Sequence, residues 1–166
     1  SRAMFSNGQI EGAKGVLEKA LNLAKETENE KHIADLKSQL AYHCYLLRDI
    51  SKAKELYTES LYLYQDIKKN GHSDIIQREA KQYSNLAHTS YAKGELQKAL
   101  DYHQKALKIF QSIDDKKEIA HQLGFLGHTY FARHEYLKAR EFFEKAIEIY
   151  NKLEDVKNVA QYSASI

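Results

Sequence analysis

At 166 residues, 43% hydrophobic and 29% charged, the chain is long enough for one ordinary domain or a short repeat array, and too apolar to be disordered. It has no Pro and only seven Gly. That composition excludes most sheet-rich folds and permits helix almost throughout, since Pro costs roughly 3 and Gly about 1 kcal/mol inside a helix. The formal charge of +2 is spread over interspersed acids and bases, so no basic stripe offers itself to nucleic acid, and no run of about twenty apolar residues could span a membrane.

In chain order, the opening SRAM ahead of Met4 reads as an appended segment, and the closing NVAQYSASI stops inside a helical pattern. A piece of a longer protein is therefore expected. A first helix is expected over 8–28. Pairs follow at 31–48 with 51–69, 75–93 with 96–113, and 116–133 with 136–153, and a last helix begins near 156. The turns inside the pairs read RDIS, KGEL and RHEY. Gly94 suits a helix end that needs a left-handed residue, and Asp49, Asp114, Asp115 and Asp155 stand where helices stop or start, which suits capping. KKNGHSDII (68–76) contains a six-residue insertion that either prolongs a helix or loops out. The single Cys44 cannot form an internal disulfide. It reads as a small buried residue and suits a reducing, cytoplasmic setting.

The chain repeats itself. AHTSYAKGELQKALDYHQKALKIF (87–110) aligns without a gap on GHTYFARHEYLKAREFFEKAIEIY (127–150). Small residues recur at Ala13, Ala53, Ala99 and Ala139, in steps of 40, 46 and 40, and seven positions later at Ala20, Ser60, Ala106 and Ala146. A second helical pattern is marked by Ala34, Ala80, Ala120 and Ala160. In the last full copy the apolar stripes are Leu123, Leu126, Gly127 and Tyr130 on one helix, and Tyr136, Ala139, Phe143, Ala146, Ile147 and Tyr150 on the next. One helix pair has too little core to stand alone, whereas stacked pairs share a continuous one.

The order Leu123, Leu126, Gly127, Tyr130, Ala139, Phe143, Ala146 resembles the tetratricopeptide (TPR) pattern. The copy before it has Tyr83, Leu86, Ala87, Ala99, His103 and Ala106, with Ser90 and His103 where aromatics are expected; the copy before that has Lys37, Leu40, Ala41, Cys44, Ala53, Tyr57 and Ser60. The usual Trp and Pro are missing. A period of 40 is similar to the longer TPR variety of kinesin light chains, Pins/LGN-type adaptors and bacterial Rap-type receptors. The resemblance implies an all-α, right-handed superhelical solenoid of antiparallel helix pairs. It would be one array over 1–166: an unpaired second helix at 8–28, repeats at 31–69, 75–113 and 116–153, and the start of another at 156–166.

In arrays of this kind the first helices of the pairs line a concave groove. The corresponding register here gives Asp35, Ser38, Gln39, Tyr42 and Tyr45; then Lys81, Ser84, Asn85, His88 and Tyr91; then His121, Gly124, Phe125, His128 and Phe131; and finally Gln161. Gln39, Tyr42, Tyr45, Lys81, Ser84, Asn85, His88, Tyr91, His121, Phe125, His128 and Phe131 are the expected peptide-binding residues. Aromatic area and amide, hydroxyl and imidazole groups suit an extended peptide or a partner helix. The resemblance gives Asn85 a role on a ligand backbone. Of the positions that hold a carboxylate tail in chaperone-binding relatives, Ser38, Tyr42, Asn85, His121 and Phe125 here, only Asn85 matches. A cochaperone is therefore not expected.

The eight His include no closely spaced pair of metal ligands, and no Gly-rich phosphate loop occurs. No metal, cofactor or catalytic residue is expected. Asp101 with Lys105, Arg140 with Glu144 and Glu141 with Lys145 have the spacing of small helix-stabilising pairs. Three functions remain open. One is an adaptor groove for a protein or peptide; another is the sensor domain of a peptide-pheromone-type regulator. The last is a self-association unit joined through its terminal helices.

Overall fold

The computed structural model describes residues 2–26, 29–69 and 75–165, and among them all regular structure is helical. The elements are α1 (Arg2–Glu26), α2 (Glu30–Leu46), α3 (Ile50–Lys69), α4 (Ile76–Ala92), α5 (Leu96–Ser112), α6 (Lys116–Ala132), α7 (Tyr136–Lys152) and α8 (Val156–Ser163). The helix expected from residue 8 begins at Arg2. The repeat register marks only where the repeat begins, and nothing in residues 2–7 breaks a helix. Of the 68–76 insertion, residues 70–74 lie outside the described residues. Its start lengthens α3 to 20 residues against 17 for α5 and α7, and its end buries Ile75 completely beside Ala34, Tyr64 and Ile67.

The turns follow one plan. After α4, Gly94 sits at φ +75° and the Glu95 N–H donates to the Ser90 carbonyl at 2.9 Å, a closed helix end that satisfies an orphan acceptor. Arg48, Asp114, His134 and Glu154 occupy the same left-handed position at φ between 54° and 67°. The next residue then opens the following helix. Asp49, Asp115 and Asp155 accept from the backbone N–H three residues on, at 3.0, 3.2 and 3.2 Å. At Glu95 and Glu135 the side chain instead takes cations: Lys54 and Lys98 at 2.8 and 3.1 Å, and Arg133 and Lys138 at 2.8 and 2.7 Å.

Each helix packs on the next, most extensively in the antiparallel pairs α2–α3, α4–α5 and α6–α7. The in-phase small residues sit at the crossings: Ala34, Ala80, Ala120, Ala53, Ala99, Ser60, Ala106 and Ala146 are at 0% exposure and Ala139 at 2%. Ser60, where the others have Ala, donates its hydroxyl to the Ala34 carbonyl at 2.8 Å. Large side chains fill the spaces this leaves: Tyr57, Phe143, Phe110 and Tyr150 are fully or almost fully buried, and each such side chain contributes about 1.5–3 kcal/mol. Cys44 is buried as well, and burial pushes its thiol above the usual range. Of the three charged pairs expected on the second helices, Arg140–Glu144 forms at 2.8 Å. Asp101 instead accepts from Gln97, Lys105 lies over the Tyr83 and Tyr102 rings, and Lys145 lies over Phe142, because an aromatic face lies within reach of each lysine.

These features set the direction of three substitutions. Gly94→Ala is expected to cost about 1 kcal/mol, the strain of an L side chain in the left-handed region. Arg48→Gly removes that strain from an exposed position and is expected to add about 0.5 kcal/mol after the entropy of Gly is counted. A Cβ on Gly127 would stand 2.6 Å from the buried Phe143 ring, so Gly127→Ala is expected to cost about 1–3 kcal/mol. Urea unfolding midpoints at constant slope measure all three.

Candidate functional site

The stack sets α2, α4 and α6 side by side, and their shared face encloses a cavity of about 630 Å³. Asp35, Ser38 and Gln39 come from α2, and Arg78, Lys81, Gln82, Ser84, Asn85 and His88 from α4. Glu118, Gln122 and Phe125 come from α6, and Tyr64 reaches in from α3. Helix α4 forms the floor because it is flanked on both sides. Its residues 78, 81/82, 85 and 88 recur at the spacing of one helical face.

At one end, Asp35 accepts from Tyr64 Oη at 2.5 Å and is also bonded by Arg78 Nη1. Burial, then this bond to Asp35, pushes the Tyr64 phenol up to about 12. On the α6 wall, Glu118 lies 3.5 Å from His121, and the His121 bond followed by nearby Lys81 and Lys117 holds its carboxyl below the usual range. Beneath the other end is a buried polar cluster. Gln122 Oε1 accepts from Ser84 Oγ at 2.7 Å and from His103 Nδ1 at 2.9 Å. The His103 ring stacks on Phe125 at 5.4 Å, and His88 meets both edge-on at 5.3 and 4.4 Å. Burial pushes His88 down to about 4, and burial followed by the neighbouring His88 pushes His103 down to about 3. Among the described residues, the side chains of Asn85 and Lys81 have no hydrogen-bond or ion-pair partner, and Gln82 Oε1 is buried without a donor.

Of the residues on the groove register read from sequence, Asp35, Ser38, Gln39, Lys81, Ser84, Asn85, His88 and Phe125 converge on this cavity. Ser84 does so with its hydroxyl turned inward to Gln122. The others stand elsewhere. Tyr45 packs against the core cluster that holds Leu40 and Tyr57. Tyr42 and Tyr91 are 53% and 42% exposed beyond the cavity. His121 lies against Tyr150, and His128 against Phe143 and Tyr162. Phe131 is exposed and meets Tyr136 edge-on. Gly124 is covered by the Tyr162 ring, and Gln161 is exposed.

Tyr64, Arg78, Gln82, Glu118 and Gln122 complete the lining without having been selected from sequence. One signal was available for two of them: Gln82 and Gln122 lie 40 residues apart in the same register, at a position otherwise held by Leu36 and Tyr162. A polar residue repeated where neighbours are apolar marks a buried hydrogen-bond site. Chemically the cavity offers amide, imidazole and ammonium groups to a ligand's own donors and acceptors. Among the described residues no three His, Cys, Asp or Glu side chains cluster as a metal site, and no helix is long and apolar enough to cross a membrane.

Residues 78–152, which run from α4 to α7, match the family model of the tetratricopeptide repeat. Solved structures of similar fold include BtubC (BKLC) from P. vanneervenii, at TM-score 0.78 and 25% identity over 89% of this chain and 59% of that one. A Rap protein complexed with competence and sporulation factor gives TM-score 0.81 at 18% identity, over 94% of this chain and 42% of the other. A Podosopora anserina putative kinesin light chain with nearly identical TPR-like repeats gives 0.73 at 18%, over 97% and 81%. The chain thus spans only part of the length of the first two. No curated protein matches it by sequence.

The buried histidines make stability depend on pH. In the unfolded chain they take up protons near their ordinary value of 6.5, which the folded state, with His88 near 4 and His103 near 3, resists. Their contribution is therefore complete above about pH 6.5 and lost as pH falls toward 4. Melting temperature is expected to drop between about pH 7 and pH 4.5, and His103→Phe, which keeps the stack on Phe125, is expected to flatten that drop. An equally steep drop in the variant would place the acid sensitivity elsewhere.

Proposed function

We propose that this chain is a tetratricopeptide-repeat interaction module, as the match of residues 78–152 to that family supports, and that its groove binds a linear peptide or the face of a partner helix. The observation that carries this reading is Asn85. Its amide sits half-buried in the middle of the α4 floor, without a partner among the described residues, between Lys81 and His88 and opposite Gln39 and Phe125. An amide donates and accepts at once, so it can hold one peptide unit in both directions. Phe125 and His88 add ring surface beside it for an apolar side chain. The similarity in fold to a Rap protein solved with competence and sporulation factor is consistent with such a use.

In this reading the pairs α2–α3, α4–α5 and α6–α7 are three repeats, flanked by a second helix (α1) and a first helix (α8). The protein acts as a non-catalytic adaptor or signalling scaffold in the cytoplasm, where Cys44 stays reduced. Self-association is the second reading. Ala160 is exposed although Ala34, Ala80 and Ala120 of the same register are fully buried, and Val16 and Leu23 on α1 are 67% and 64% exposed. Sedimentation over a range of concentrations distinguishes it, since a constant monomer mass would end that reading.

The groove is tested by selecting a displayed peptide library on the parent chain. Selected peptides are expected to share a motif and to bind Asn85→Ala at least about tenfold more weakly, while helicity and melting stay close to the parent. If no motif emerges, or if affinity survives the substitution, the groove reading falls.

A further inference from the structure

Gln122 is 1% exposed, and its carbonyl oxygen is fully used: Oε1 takes the Ser84 hydroxyl at 2.7 Å and the His103 Nδ1–H at 2.9 Å. Two donors on one oxygen fix the plane of the amide. They leave Nε2, with its two N–H groups, as the end of the side chain that reaches the cavity Gln122 lines. Nε2 has no acceptor among the described residues. It is not cut off from solvent, so a ligand oxygen would replace water at its two N–H groups.

The charges around it decide which oxygen. Asp35 and Glu118 line the same cavity with Arg78 and Lys81, so the four formal charges cancel, and Arg78 is already spent on Asp35. The charge of Lys81, which makes no ion pair among the described residues, balances that of Glu118 and helps hold it ionised. A ligand carboxylate would thus find no net positive charge to offset its desolvation, whereas a neutral carbonyl carries no such cost.

We infer that Gln122 is a specificity-determining residue of the groove. It is locked by Ser84 and His103 so that its N–H groups receive the oxygen of a neutral amide, from the ligand backbone or from an Asn or Gln side chain, in preference to a carboxylate. This rests on the peptide-groove reading above and adds the chemistry of one subsite to it.

Two measurements test it. The first needs no ligand: nitrogen-15 NMR of the parent chain near neutral pH is expected to find His103 protonated on Nδ1. Protonation on Nε2 would mean a reversed amide, with Oε1 facing the cavity, and would overturn the inference. The second compares selected library peptides on the parent and on Gln122→Glu, which keeps an oxygen for Ser84 and His103 but has no N–H. Affinity is expected to fall at least about tenfold with helicity retained. Alanine and backbone-ester scans of the same peptide then separate the two sources of the oxygen: loss at an Asn or Gln names the side chain, and loss at an ester names the backbone. Undiminished affinity on Gln122→Glu, or an absolute need for Asp or Glu in the motif, refutes the subsite and leaves the groove standing. A parent chain that selects nothing refutes both. If the glutamate variant does not fold, the His103 tautomer alone decides.

Discussion

Ala34, Ala80 and Ala120 on the first helices lie fully buried, as do Ser60, Ala106 and Ala146 on the second, and Ser60 bonds the Ala34 carbonyl across one such crossing. Two helix backbones can come this close only where nothing larger than a methyl group stands between them. Close approach in turn sets what else must be present. It opens wedge-shaped spaces between neighbouring pairs, and these are the places that Tyr64, Phe110 and Tyr150 occupy, one on each second helix. Small residues at the crossings and large rings in the gaps are thus a single packing solution written several times. Gly127 extends it by admitting the Phe143 ring against bare backbone.

The same constraint builds the cavity. Because the pairs stack in parallel, α2, α4 and α6 must present one face each to a common side, and α4 is flanked by the other two. The more exposed residues on that face, such as Lys81, have little packing duty, so polar groups can stand there at little cost. The network underneath does have such a duty. Ser84, Gln122 and His103 satisfy one another, which is the condition for burying polar atoms in a core without a large penalty.

Much of this was legible in the chain. The 40-residue recurrence, the small residues in phase and the Asp residues at helix starts reflect backbone and packing rules that act locally. The sequence was less informative where a rule acts across helices. The repeated Gln82 and Gln122 mark a polar position in an apolar register, but the partners of Gln122, Ser84 and His103, emerge only when α4, α5 and α6 are packed together. Ser84 shares its register with Ser38, yet only Ser84 has a glutamine to turn to. Arg78 lies two residues before the repeat's marker alanine, outside the stretch that the groove register covers, so its bond to Asp35 of the preceding pair could not be read from either segment alone. The left-handed turn residues Arg48, His134 and Glu154 carry no glycine to announce them. They are imposed by helix ends that must close in the same way as the end at Gly94.

His103 joins these threads. It stands at a position that holds Tyr57 and Phe143 in the other pairs, so by pattern it is a defect in the middle repeat. In the packed structure its ring does what the aromatics do, lying parallel to Phe125 at 5.4 Å, and its Nδ1 also donates to Gln122. A phenyl ring would supply the first contact but not the second, and a glutamine or serine the second but not the first. The imidazole is the side chain that can fill a core aromatic site and still orient a polar group above it. The departure from the repeat pattern and the polarity of the cavity wall therefore have one cause, and it lies where the core of the stack touches the surface offered to a partner.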